Sequence, residues 1–97
     1  IAEIVSNATG KSKDNWVYGR EGIVGERTKE EIGIHGVRLG DVVGEHTLYF
    51  AGNSERIEFT HRAHSRDNFA GGAIKAAKWL CGKEPKLYDM FDVLGMK

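Results

Sequence analysis

Residues Glu55 to Leu80 read ERIEFTHRAHSRDNFAGGAIKAAKWL, and the change of period inside this stretch decides the fold. Its first part alternates. Ile57, Phe59 and His61 fall on one face of an extended strand, and Arg56, Glu58, Thr60 and Arg62 on the other. From Phe69 the period becomes helical: Phe69, Ala73, Ala76, Ala77 and Leu80 form one stripe. The joint between them, Ala63 to Asn68, is small and polar. A strand running through such a joint into a helix aims backbone N–H groups and the positive helix end at one spot. Asp67 or Ser65 is the expected N-cap. Arg66 stands beside that spot and can offer a bidentate fork to a carboxylate or phosphate. The plainer reading of Arg66 is an ion pair with Asp67 or with a neighbouring chain.

Outward from the joint, the upstream chain reads as strands. Gly33 to Leu39 and Val42 to Ala51 are expected to pair across a tight turn at Gly40-Asp41. Asn53 and Ser54 then turn the chain into the strand at Glu55. Three strands with short links imply an antiparallel meander. Ile32 and Ile34 share one parity, Val37 and Leu39 the other, so apolar residues occur on both faces. A helix over one face and another subunit over the other would account for this, as would a bulge at Gly36.

Farther upstream, Ile1, Ile4, Val5 and Ala8 make a short helical stripe that Gly10 ends. The chain opens inside that stripe, so a fragment of a longer protein is expected. Trp16 to Tyr18 suits a short strand. Gly19 to Arg27 (GREGIVGER) is either a structural loop with positive-φ glycines and local Arg/Glu pairing, or a phosphate cradle. The structural reading is preferred, because no helix pattern follows to supply the N-terminus that a phosphate loop needs. Downstream, Gly71 and Gly72 sit in the first turns of the helix at about 1 kcal/mol each relative to alanine. Close approach of a backbone or ligand would explain them. Gly82 stops that helix, and Lys86 to Leu94 is expected to form a last one.

Composition narrows the function. Ninety-seven residues suit one small domain that buries roughly 60–68% of its unfolded surface. Fourteen basic and fourteen acidic residues cancel, which argues against a nucleic-acid binder. No apolar run approaches the ~20 residues of a membrane span. The single cysteine, Cys81, cannot form an internal disulfide and fits a reducing, cytoplasmic setting. It lies at a helix C-terminus, where the dipole disfavours a thiolate nucleophile. His61, His64 and Glu58 lack metal-ligand spacing, so no metal is expected and structural roles are preferred. Glu45 cannot orient His46, because adjacent strand residues face opposite sides.

The blocks VRLGDVVGEHT (37–47), Gly19-Arg20-Glu21-Gly22 with Gly25-Glu26-Arg27, Glu55-Arg56-Ile57-Glu58 with Thr60-His61, Ser65-Arg66 with Phe69-Ala70, and Leu87-Tyr88-Asp89-Met90 with Asp92-Val93-Leu94 span nearly the whole chain. Together they resemble the 4-hydroxy-tetrahydrodipicolinate reductase family, also called dihydrodipicolinate reductase, of the diaminopimelate and lysine pathway. The resemblance implies that residues 1–97 are an incomplete C-terminal substrate-binding and tetramerisation domain. It implies an α+β fold: an open mixed, mostly antiparallel sheet of about four strands, with helices on one face and copies of the chain on the other, giving a homotetramer. A Rossmann domain binding NADH or NADPH, and a substrate motif of paired histidines, a lysine and a Gly-Thr step, would lie upstream. No catalytic residue is therefore expected in this fragment. Arg66 and Phe69 match the family's Ser-Arg-x-x-Phe stretch, which implies that they lie near the nicotinamide and a small dicarboxylate substrate. His64 stands where many relatives have a small residue. A self-associating structural module with no ligand site is the alternative.

Overall fold

The strand-to-helix stretch forms as its periodicity dictates. In the computed structural model, which describes residues 1–97, β4 runs Arg56–Ala63 and α2 runs Asp67–Leu80. The chain divides into two units, Ile1–Gly40 and Asp41–Lys97.

In the second unit β3 (Gly44–Ala51) pairs antiparallel with β4, and Asn53-Ser54 makes the turn as expected. Ser54 is the one non-glycine residue with positive φ, at 62°. The register puts Leu48 opposite Phe59 and Phe50 opposite Ile57. Directly opposite residues share a face, so these four make one apolar stripe. The other face carries the Thr47–Thr60 hydroxyl contact at 3.0 Å, the Arg62–Glu45 pair at 3.0 Å, and the Arg56–Glu58 pair. One face of the hairpin is thus apolar and the other polar except for Tyr49, which is exposed with Arg56 over its ring at 5.7 Å. Helix α2 is followed by Gly82 at φ 76°. α3 spans only Met90–Leu94, shorter than the expected Lys86–Leu94, and Leu87 is 96% exposed. Its start is fixed by Asp89, whose carboxylate accepts from the N–H groups of Phe91 and Asp92 while Asp92 accepts from the N–H of Asp89. This reciprocal cap satisfies donors that a five-residue helix otherwise leaves open.

In the first unit α1 covers Ala2–Thr9 and ends at Gly10 with φ 69°, as its sequence implies. Its inward residue is not in the apolar stripe. Ser6 is 4% exposed and accepts a hydrogen bond from Trp16 Nε1 at 2.8 Å. A single 3-10 turn, Lys13–Asn15, leads into β1 (Trp16–Tyr18), which pairs in parallel with β2 (Ile32–Ile34). The meander expected through Gly33–Leu39 is therefore not formed. β2 stops at Ile34 and takes β1 as its partner, and Val37–Leu39 and Gly36 lie outside any strand. The structure contains two two-stranded sheets, one parallel and one antiparallel, and not one continuous sheet of four strands. The fold is α+β.

The loop between β1 and β2 matches the structural reading. Gly19, Gly22 and Gly25 all take positive φ, at 62°, 63° and 81°. That is the left-handed region in which a side chain is strained. Its charges close the loop differently from the local pairs expected: Arg20 pairs with Glu31, and Arg27 donates to the Glu31 carbonyl at 3.0 Å. The Arg20 guanidinium, hydrogen-bonded to Glu31, holds that carboxyl below its ordinary range.

Little of this is core. Only Ala63 and Ser6 are buried, at 7% and 4% exposure. The chain exposes 8710 Å², whereas two separate globules sharing its mass would expose about 6,700 Å². Among the exposed residues, Phe50, Ile57 and Phe59 remain 42%, 59% and 62% exposed.

Candidate functional site

The joint between β4 and α2 places the two expected site residues one helical turn apart. Ser65 Oγ accepts from the Asp67 N–H at 3.0 Å, but the N-cap of α2 is Arg66, with no side-chain cap bond, so neither Ser65 nor Asp67 takes that position. Arg66 follows with helical φ −68° and ψ −15°. Its carbonyl receives the N–H groups of Phe69 at 3.0 Å and Ala70 at 3.1 Å. Its guanidinium enters none of the chain's ion pairs, so the pairing with Asp67 is not made. Arg66 and Phe69, at i and i+3, share one helix face. Phe69 leans over the start of the hairpin. A Cβ added at Gly44 would meet the Phe69 ring at 3.7 Å and the Ala63 methyl at 3.9 Å. Both are ordinary contact distances, so the ring sits against this end of the hairpin without requiring glycine at 44.

The remaining candidates fall elsewhere. His46 stands directly opposite His61, at the end of the apolar stripe nearest Phe69. Neither histidine was expected to face the other, although counting outward from the Asn53-Ser54 turn pairs them. Glu45 lies on the opposite face from His46 and is engaged with Arg62. His64 is exposed. No group of three or more His, Cys, Asp or Glu residues is placed to hold a metal ion. Cys81 is exposed and its thiol donates to the Ala77 carbonyl at 3.5 Å. A Cβ at Gly71 or Gly72 would meet nothing within 4 Å, so no close approach inside the chain requires these glycines.

A second feature gathers at the α2–α3 corner. Trp79 and Tyr88 meet edge to face at 5.1 Å. Lys83 sits 4.5 Å over the Trp79 ring and Lys86 4.8 Å over Tyr88. An apolar groove of about 280 Å³ opens beside them, lined by Ala76, Leu80, Met90 and Val93 among others. Lys97 bridges Asp89 and Asp92 at 3.0 Å each. Those two carboxylates hold its ammonium group above the ordinary lysine range. No helix of the structure is long and apolar enough to cross a membrane.

The structure defines an α+β class with little buried core, an exposed apolar stripe on its hairpin and an unpaired arginine at a strand-to-helix joint. The chain belongs to the family described as "Dihydrodipicolinate reductase, C-terminus", whose model matches residues 1–94. Curated relatives named 4-hydroxy-tetrahydrodipicolinate reductase agree over the whole chain. Those from Trichlorobacter lovleyi, Syntrophotalea carbinolica and Geobacter sulfurreducens are 59%, 60% and 57% identical. The chain spans 37% of the length of each of these relatives.

Proposed function

We propose that this chain is the C-terminal, substrate-side and assembly part of an NAD(P)H-dependent 4-hydroxy-tetrahydrodipicolinate reductase of lysine and diaminopimelate biosynthesis, acting in the cytoplasm. The observation that carries the reading is the family match over residues 1–94. A nicotinamide bound by the whole protein would supply a hydride to a cyclic dicarboxylate, whose hydroxyl would leave as water on taking up a proton. This chain has no Gly-x-Gly-x-x-Gly following a strand, so the dinucleotide is held mainly by the upstream Rossmann domain. The chain's own residues suit the substrate side. Arg66 presents an unpaired planar cation that fits a substrate carboxylate or a cofactor phosphate. Phe69, on the same helix face, adds an apolar wall beside it.

The uncovered Leu48–Phe50–Ile57–Phe59 stripe supports the assembly role, with copies of the chain packing on it to give a homotetramer. It also supports the alternative of a self-associating module with no ligand site, and one assay separates the two. Purified full-length protein, given 4-hydroxy-tetrahydrodipicolinate and NAD(P)H, is expected to consume the reduced nicotinamide, while the 97-residue chain alone does not. Arg66→Ala in the full-length protein is expected to weaken kcat/KM by ten- to a hundredfold, since a lost charge-assisted hydrogen bond amounts to about 1.5–3 kcal/mol. Turnover by the isolated chain, or unchanged kinetics in the variant, would overturn the respective assignments.

A further inference from the structure

We propose that His46 is a further substrate contact beside Arg66 and Phe69, donating a hydrogen bond from Nε2 to a carboxylate of the cyclic dicarboxylate. The inference rests on the substrate-side reading above and extends that site from α2 onto the hairpin. His46 lies two residues beyond Gly44 on β3, so the two share a face. Its ring leans back along the strand: Nε2 is 4.0 Å from the point where a Cβ on Gly44 would stand. The tip of the Phe69 ring is 3.7 Å from that same point, and the Ala63 methyl 3.9 Å. The imidazole nitrogen is thereby brought toward the Phe69 wall, next to the last residue of β4 before the joint that carries Arg66.

This imidazole is free to take a ligand. His46 is exposed, and its side chain enters no hydrogen bond and no ion pair of the chain. Its face of the hairpin holds no carboxylate, since Glu45 lies on the other face with Arg62. An acceptor for the His46 N–H therefore has to come from outside the hairpin. A dicarboxylate offers two. With the planar fork of Arg66 on one carboxylate, a single donor such as imidazole suits the other, and the bond strengthens when the ring is protonated. The apolar Phe69 ring beside them lowers the local dielectric, which favours such bonds. The other charged or titratable groups around His46 are His61 directly opposite, Arg66 and Asp67 at the start of α2, and the Glu45–Arg62 pair behind the sheet.

The test uses the full-length protein, with 4-hydroxy-tetrahydrodipicolinate as substrate and pyridine-2,6-dicarboxylate, a planar ring bearing two carboxylates, as binding probe. His46→Ala is expected to raise the substrate KM and the probe Kd about tenfold, the loss that one hydrogen bond to a charged group carries. The KM for the reduced nicotinamide should stay within twofold. His46→Gln, whose amide N–H reaches about as far as Nε2, is expected to recover most of the loss. An unchanged substrate KM in the alanine variant overturns the proposal. So does an equal rise in both KM values, or a glutamine variant no better than alanine, because either marks a purely structural role. In each of these cases a weakened Arg66→Ala variant leaves the substrate-side reading standing, whereas a full-length protein that neither turns over nor binds the probe overturns both. Should circular dichroism show the alanine variant unfolded, the pH response of His46→Gln decides. A bound carboxylate favours the protonated ring, so probe affinity gains as pH falls from 8.0 to 6.0. The unaltered protein is expected to gain at least threefold more over that range than His46→Gln, and equal gains contradict the proposal.

Discussion

At the scale of single residues, Ser6 shows how a polar group can hold a small unit together. It is one of only two buried residues, and its hydroxyl is the acceptor for the Trp16 indole N–H. Ser6→Ala leaves that donor without its partner, at a cost of about 1–2 kcal/mol. Alanine's better helix propensity returns roughly 0.5 kcal/mol. A net loss near 1 kcal/mol is expected in urea unfolding of the full-length protein, and an unchanged midpoint would show that water replaces the serine. The sequence pointed elsewhere, to the stripe of Ile1, Ile4, Val5 and Ala8. Periodicity scores apolarity along a helix, and it has no term for one hydroxyl turned toward a tryptophan ten residues on. Arg66 and Phe69 were legible because their spacing and the polar joint are local. The facing of His46 and His61 was not, because it depends on the register of two strands. That register was available only by counting from the turn.

Elements were legible where local signals agree. β4 and α2 follow the switch of period at the joint, and the Asn53-Ser54 turn fixes the hairpin. The parallel partnership of β1 with β2 is not legible in the sequence, because three-residue strands carry too few side chains to show alternation. α3 is shorter than its apolar stripe, which extends back to Leu87. The true start was written in Asp89-x-x-Asp92, a reciprocal cap. With only five residues, α3 depends on that cap. Asp89→Ala should weaken its first turn by about 1 kcal/mol, read from amide exchange at Phe91 and Asp92. Acid should act in the same direction. The Asp89 N–H, and then Lys97, hold the Asp92 carboxyl below its ordinary range. A carboxyl depressed on folding gives stability that is fully present above the ordinary aspartate value, and that is lost as pH falls through the depressed one. Fraying of α3 is therefore expected below about pH 4, and amide shifts at Val93 that stay constant from pH 6 to 3 would contradict it.

The whole molecule is governed by what it leaves uncovered. A chain of this length has a modest core at best, and this one buries only two residues. The α+β fold class was legible in the sequence, but the expected sheet with apolar residues on both faces was not found: the hairpin carries cross-strand polar pairs on the face opposite its apolar stripe. The division into a parallel and an antiparallel pair was not legible, because strand partnership is decided between segments far apart in sequence. The polar face of the hairpin is finished by cross-strand pairs, while the Phe50–Phe59 edge-to-face contact, 6.4 Å between centroids, stands open on the other. That asymmetry is the physical basis for placing assembly on this face. A charge set in the middle of the stripe is the most direct probe of it. In sedimentation equilibrium at pH 8.0, the full-length protein is expected to be an oligomer and its Phe59→Glu variant a folded monomer. A variant that keeps the oligomer, or an unaltered protein that is already monomeric, would contradict the account.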